Sequence, residues 1–347
     1  MKNTFNIIWV IIGTLIGAGF ASGQEINLFF YSYGKIGFIG LLISSILLCL
    51  IIQYSLKIIK EKQINTYKEF LENILKSKNE SSFFNIKNIV NIIINIFILI
   101  TFFIMVAGFG TYFQQEFRIE GYIGSSILAI ICFFVFLKSI SGFIKLNDIL
   151  VPILVIFLLL IGFLNIKQIN ILEITSNLEQ VSKPGGIISG ILYASYNSIL
   201  LIPTLITLRN YLKGEKQIKF ISILTTLIII VLSLIIISLL YRVDININDI
   251  EMPVVYVVSQ NFKKLKILYG IIILLSILTT SLSLGISFLQ NTVKSKKSYP
   301  QIATIMCITS VVISKLGFLN LVNLLYPIFG FLGLIQIFKL VAFFKRI

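Results

Sequence analysis

The chain holds 347 residues, of which 57% are hydrophobic and only 12% charged, and its mean hydropathy is +0.99. A soluble protein of this size carries about 25% charged residues. Continuous apolar runs such as 223–240 exclude the alternating strands of a membrane β-barrel. The composition therefore predicts an all-α polytopic membrane protein, set in a lipid bilayer as one transmembrane domain over residues 1–347. The net charge of +15 lies between apolar segments, which assigns it to membrane orientation and not to nucleic acid. Histidine is absent, so His-based triads, His metal ligands and the usual near-neutral proton shuttle are excluded. Cys49, Cys132 and Cys307 fall inside apolar segments and read as packing residues. With no histidine and no clustered nucleophile and base, an enzyme is not expected; no Walker loop, dinucleotide fingerprint or Cys/His metal spacing is present, which argues against ATP drive, and no cofactor beyond a coupling ion is expected.

Ten spans follow in order: 5–30, 37–60, 86–113, 121–138, 145–165, 185–209, 217–241, 264–290, 300–315 and 322–345. The ninth is short, and the 317–323 link reads either as a re-entrant bend or as the start of the tenth helix. The first segment has no small-residue cleavage site before its polar break, so it reads as a span and not as a removed signal peptide.

That first span is interrupted by GTLIGAGFASGQE, residues 13–25. Gly13, Gly17 and Gly19 each cost about 1 kcal/mol relative to alanine in a helix interior. Ser22, Gln24 and Glu25 follow, and all three are expensive in hydrocarbon. Such a break is tolerated only against protein or a water-filled cavity. The first half-helix is expected to end near Ile16–Gly17 and the second to begin near Gly19–Phe20. Free carbonyls at the first end suit Na⁺ or an ammonium, and free N–H groups at the second suit a carboxylate. Gly17, Ala18, Gly19 and Ser22 are thus substrate-binding candidates, with close helix packing the other use of the glycines. Glu25, an ionisable group at membrane depth, is a candidate proton carrier; its alternative is a carboxylate wetted by an outer vestibule.

Further along, Gly108, Gly110, Tyr112, Gln114 and Gln115 close the third span and read as packing or vestibule residues. Lys145 and Asp148 are placed to pair at the start of the fifth. The sixth carries Tyr193, Ser195, Tyr196, Asn197 and Ser198 at mid-span, with Pro203 beyond, and is expected to be discontinuous like the first. The two tyrosines suit either solute stacking or core packing. Residues 248–262 suit a short amphipathic lid. In the eighth span, Ser276, Thr279 and Thr280 share one face by their i, i+3, i+4 spacing. With backbone carbonyls they are adequate ligands for Na⁺; the alternative is bonding to their own i−4 carbonyls.

Two long-range patterns organise these features. With the N-terminus cytoplasmic, twenty of the 29 basic residues fall on inside segments, which favours both termini cytoplasmic. Shifting each of the first five spans by about 180 residues lands on its counterpart among the last five. Five spans per unit forces the two units to enter the membrane with opposite orientation. This is an inverted repeat, with repeat one about 5–165 and repeat two about 185–345.

The opening Gly13-Thr-Leu-Ile-Gly17-Ala-Gly19-Phe-Ala-Ser-Gly23-Gln-Glu25, followed by Phe29-Phe30, resembles that of the YkvI-like bacterial membrane proteins. Ala107-Gly-Phe-Gly110 and Leu321-Val-Asn-Leu-Leu-Tyr326-Pro327 are similar too. That group is placed in the amino acid–polyamine–organocation superfamily, with the LeuT-type five-plus-five fold. The resemblance implies a sodium site from the carbonyls of Gly13 and Ile16 with Thr279 and Thr280. It implies Ala18 and Gly19 N–H groups on a substrate carboxylate, and a pocket completed by Tyr193–Asn197. Thr14 stands where the sodium users often have Asn, and Glu25 has no counterpart in the pattern.

The sequence thus points to a secondary-active transporter of a small solute, an amino acid or related zwitterion, coupled to Na⁺ or H⁺ in the bacterial cytoplasmic membrane. A transport-like ligand sensor, similar to spore germinant-receptor membrane subunits, is the alternative.

Overall fold

Long apolar runs have one stable state in hydrocarbon: helices that close their backbone hydrogen bonds internally. The computed structural model describes the backbone of residues 2–74, 80–137, 141–166, 184–243, 246–293, 295 and 297–344. Among these residues there is no strand. The helices are α1 Lys2–Leu15, α2 Ala18–Ala21, α3 Gln24–Phe29, α4 Gly34–Glu61, α5 Tyr67–Ile74, α6 Glu80–Phe117 and α7 Gly121–Leu137. They continue with α8 Ser141–Ile166, α9 Gly186–Thr207, α10 Glu215–Leu240, α11 Pro253–Asn261, α12 Lys266–Thr292, α13 Tyr299–Ser314 and α14 Phe318–Phe344. Six described helical segments are long and apolar enough to cross a membrane: Gln24–Glu61, Ile92–Phe117, Gly186–Thr207, Glu215–Leu240, Lys263–Thr292 and Phe318–Phe343. Four shorter apolar helices accompany them: Thr4–Leu15, Gly121–Leu137, Ile149–Asn165 and Tyr299–Ser314.

The helices sort by packing into two groups. One comprises α1, α4, α9 and α10; the other comprises α6, α7, α12 and α13. Helix α8 lies against α1, α10 and α12, and α14 against α4, α6 and α9, so each touches both groups. The most extensive interface is α4 on α9, where Gly40 meets Gly186 and Gly190 backbone to backbone. The surface is apolar where a soluble protein's would be charged: Ile46, Phe134, Ile156, Ile305 and Phe338 are all more than half exposed. The polar groups turn inward instead, with Ser22, Gln24, Ser195, Asn197, Ser198 and Ser281 buried. That inversion matches a lipid solvent.

Two expectations change, and one open choice is decided. The sixth span is not discontinuous: α9 runs unbroken from Gly186 to Thr207, through Pro203. Its polar patch is satisfied within the helix. Ser195 Oγ donates to Ile191 O at 2.8 Å, Asn197 Nδ2 to Tyr193 O at 3.0 Å and Ser198 Oγ to Ser195 O at 2.6 Å. Residues that bond back to the preceding turn need no break. The 317–323 link is not re-entrant: Gly317, at φ +85°, turns the chain, and α14 starts at once with Phe318. Residues 253–261 form a helix whose Pro253, Val254, Val255, Val257 and Val258 are buried against α10 and α12. This is an inserted plug more than a surface lid. The side chains of Lys145 and Asp148 lie outside the described residues.

Helix α5 buries Tyr67, Phe70, Leu71 and Ile74, one face at i, i+3, i+4, i+7. The Tyr67 hydroxyl donates to Gln336 Oε1, and Gln336 Nε2 donates to Ser198 O at 3.3 Å. A relay of two bonds thus ties α5 to the centre of α9. Tyr67→Phe is expected to leave Gln336 Oε1 unsatisfied and to cost about 1–3 kcal/mol. A thermal-unfolding midpoint in detergent equal to wild type would contradict this.

Candidate functional site

The break in the first span is real and double. The last regular bond of α1 joins Ile16 N–H to Ile12 O at 2.8 Å, and the next across the gap joins Ala21 N–H to Gly17 O at 3.0 Å. Between them the carbonyls closing α1 and the amides opening α2 lose their helical partners. A second turn follows at Gly23, whose φ of +82° favours glycine, and where a Cβ would stand 2.6 Å from Val254. The C-terminal carbonyls of α2 are tied off: Tyr269 OH donates to Ala21 O, and Val254 N–H donates to Ser22 O at 2.9 Å.

On the carbonyl side, Gly13, Ile16, Ser276 and Thr279 line a cavity of about 20 Å³ between α1, α8 and α12. That is room for roughly one water-sized occupant. Ser276 Oγ donates to Ile16 O at 2.9 Å, and Thr279 Oγ1 donates to Ser276 O at 3.0 Å. Thr280 faces another way: its methyl lies 3.5 Å from where a Gly17 Cβ would stand, and its buried hydroxyl has no hydrogen-bond partner among the described residues.

On the amide side, the arrangement differs from the expected carboxylate cradle. Ala18 N–H donates to Met105 Sδ at 3.4 Å, a weak acceptor. Gly19 is covered by Glu25, whose Oε2 lies 3.1 Å from a Gly19 Cβ position, and by the Tyr326 ring edge at 3.3 Å. Ser22 caps the turn: its hydroxyl donates to Gly19 O and accepts from Gln24 N–H. Gln24 Nε2 reaches Asn323 Oδ1 at 3.0 Å. Tyr193 and Tyr196 face α3, packing on Phe29 and on each other. Ser195 instead faces α14, where its carbonyl would meet a Gly333 Cβ at 2.2 Å. Sequence reasoning passed over Met105, Phe29 and Tyr326 as site residues. Tyr326 beside Pro327 was a signal, but its partner at Gly19 lies some three hundred residues away and leaves no local trace.

All of this is closed off: Glu25 is 4% exposed, and Tyr193, Tyr196 and Asn197 are at most 1% exposed. Nearby, an open polar vestibule of about 760 Å³ is lined by Thr111, Gln114, Arg118, Glu120, Glu251 and Lys315, among others. Glu251 accepts from Thr111 Oγ1 at 2.8 Å, and Gln115 clamps the Met252 backbone. Gly108 lies beside both Ala18 and buried Phe318, so Phe318 packs next to the break.

The chain matches the uncharacterized membrane protein YkvI of Bacillus subtilis (strain 168), with 30% identity over 340 residues, covering 94% of this chain and 92% of YkvI. It belongs to the YkvI family. Bacillus subtilis YyaD, also uncharacterized, is a further relative of this YkvI-family chain, 26% identical over 328 residues and covering 94% and 92% of the two chains. No family model matches the chain. Among solved structures, a Na⁺-coupled sialic acid symporter in a substrate-bound, outward-open state aligns with a TM-score of 0.62 at 14% identity. It covers 99% of this chain and 78% of its own. A mutant of the Eremococcus coleocola manganese transporter aligns equally well, with a TM-score of 0.62 at 13% identity over 97% and 78% of the two chains. At these identities the likeness establishes the fold of this YkvI-family protein.

Proposed function

We propose that this YkvI-family protein is a secondary-active transporter of a small solute, an amino acid or related zwitterion. It works by alternating access in the bacterial cytoplasmic membrane, both termini cytoplasmic, as a ten-span LeuT-type member of the amino acid–polyamine–organocation superfamily. The observation that carries this reading is the broken first span, set where the two four-helix groups meet. An inverted repeat finds support in the packing, because interfaces recur in pairs. The contact of α1 with α8 corresponds to α9 with α14, α6 with α7 to α12 with α13, and α10 with α8 to α4 with α14. Rocking of α1, α4, α9 and α10 against α6, α7, α12 and α13 would open the break alternately to either side.

Na⁺ is the first coupling ion to consider, at the small cavity by Gly13, Ile16, Ser276 and Thr279, with Thr280 on the neighbouring face. H⁺ is the second, carried by Glu25, which is buried without a cationic partner among the described residues. Counterflow in proteoliposomes tests the reading: labelled solute is expected to exchange against unlabelled solute inside. Binding without flux would instead mark a ligand sensor. Uptake whose pH dependence survives Glu25→Gln would remove the proton-carrier role.

A further inference from the structure

Glu25 is a carboxylate at the edge of an aromatic cluster. It lies on Gly19, and among the described residues no Lys, Arg or hydrogen-bond donor reaches it. Tyr326 meets it at Gly19 and stacks on Tyr196 at 4.8 Å between ring centroids. Tyr196 stacks on Phe29 at 5.4 Å, and Tyr193 stands edge-on to Phe29, Phe30 and Tyr196. The Tyr193 and Tyr196 hydroxyls are buried with no hydrogen-bond partner among the described residues; Asn197 is near the Tyr193 phenol without bonding geometry.

Buried, unpaired polar groups are costly to leave that way. A carboxylate and aromatic faces share one complement, a positive charge. The amide end of the break suits an anion poorly. Ala18 N–H is already turned to Met105 Sδ, and a substrate carboxylate at Gly19 would stand beside the oxygens of Glu25. Among the described residues no group of three His, Cys, Asp or Glu gathers, so Glu25 would be the one carboxylate offered to a divalent metal ion here.

We infer that the solute is recognised by an ammonium group, with Glu25 as its counter-ion and Tyr193, Tyr196, Tyr326 and Phe29 as the enclosing rings. This reverses the expectation that Ala18 and Gly19 hold a carboxylate, and it rests on the break being the solute site.

The test titrates purified full-length protein with choline and putrescine (ammonium, no carboxylate), propionate (carboxylate, no amine) and Mn²⁺. Thermal stabilisation is the readout, followed by labelled choline counterflow in liposomes. Choline or putrescine is expected to stabilise wild type and propionate is not. Glu25→Gln is expected to weaken the apparent affinity at least tenfold and Tyr196→Leu about threefold, with Glu25→Asp retaining part of it. Size exclusion and the unliganded melting point check that each variant folds; if Glu25→Gln does not, Tyr196→Leu carries the comparison. The inference falls if Glu25→Gln or its substitute binds the ammonium probes like wild type. It also falls if neither ammonium probe binds, or if only propionate or Mn²⁺ stabilises. Binding without flux removes the transporter reading and leaves this one, whereas flux of a neutral solute untouched by Glu25→Gln does the reverse.

Discussion

Gly190→Val is expected to prevent stable assembly of the bundle, and Gly40→Val to do the same. A Cβ at Gly190 would stand 2.2 Å from the Gly40 carbonyl oxygen, and one at Gly40 would stand 2.1 Å from the Gly186 oxygen. Both obstacles are backbone, which cannot rotate aside as a side chain can. The helices would have to move apart by about an ångström, and a gap of that size forfeits roughly a quarter to a half of each affected dispersion contact. This happens along the largest interface of the protein, that of α4 with α9. Overpacking in a well-packed core costs about 1–3 kcal/mol, occasionally more, and a backbone obstacle belongs at the upper end. The measurement is the fraction of monodisperse protein after detergent extraction, with its unfolding midpoint. Gly214→Ala is the control, since its nearest obstacle is Lys60 Nζ at 3.9 Å. Wild-type behaviour of Gly190→Val, or equal damage from Gly214→Ala, would refute the argument.

Replacing both Ser276 and Thr279 by alanine is expected to raise the Na⁺ concentration for half-maximal uptake at least tenfold, with little change in folding. Ser276 Oγ fixes the Ile16 carbonyl beside the small cavity, and Thr279 Oγ1 is bonded to the Ser276 carbonyl on the same face. A bound Na⁺ would draw these oxygens onto itself, so the double variant removes ligands and positioning together. A tenfold change corresponds to about 1.4 kcal/mol, the scale of one lost polar contact. Thr14→Ala serves as the contrast: its hydroxyl donates to Val10 O within its own helix, so the same measurement should barely move. Na⁺-independent uptake by wild type, or an unchanged Na⁺ requirement in the double variant, would remove sodium from the mechanism.

Much of the geometry of the break was legible one residue at a time. Gly13, Gly17 and Gly19 marked a helix that had to break, because glycine spacing and hydrocarbon solvent act locally. Ser276 and Thr279 were placed on one face by helical period alone, and that face meets Gly13 and Ile16. The reading went wrong where a polar side chain had two ways to be satisfied. Ser195, Asn197 and Ser198 looked like a second break, yet each bonds to the preceding turn of α9. Ser22, polar at membrane depth, caps the turn into α3. Composition cannot separate these outcomes, because the choice depends on what stands opposite.

Apolar content and local backbone propensity sufficed for the solvent, the helical class, the approximate helices and the position of the break. Each of these depends on a few neighbouring residues at a time. What faces the break was settled by packing alone. Met105 Sδ accepts from the first amide of α2, and Tyr326, stacked on Tyr196, stands beside Glu25 at Gly19. Those partners come from α6, α9 and α14, and their meeting depends on helix contacts that no local pattern encodes.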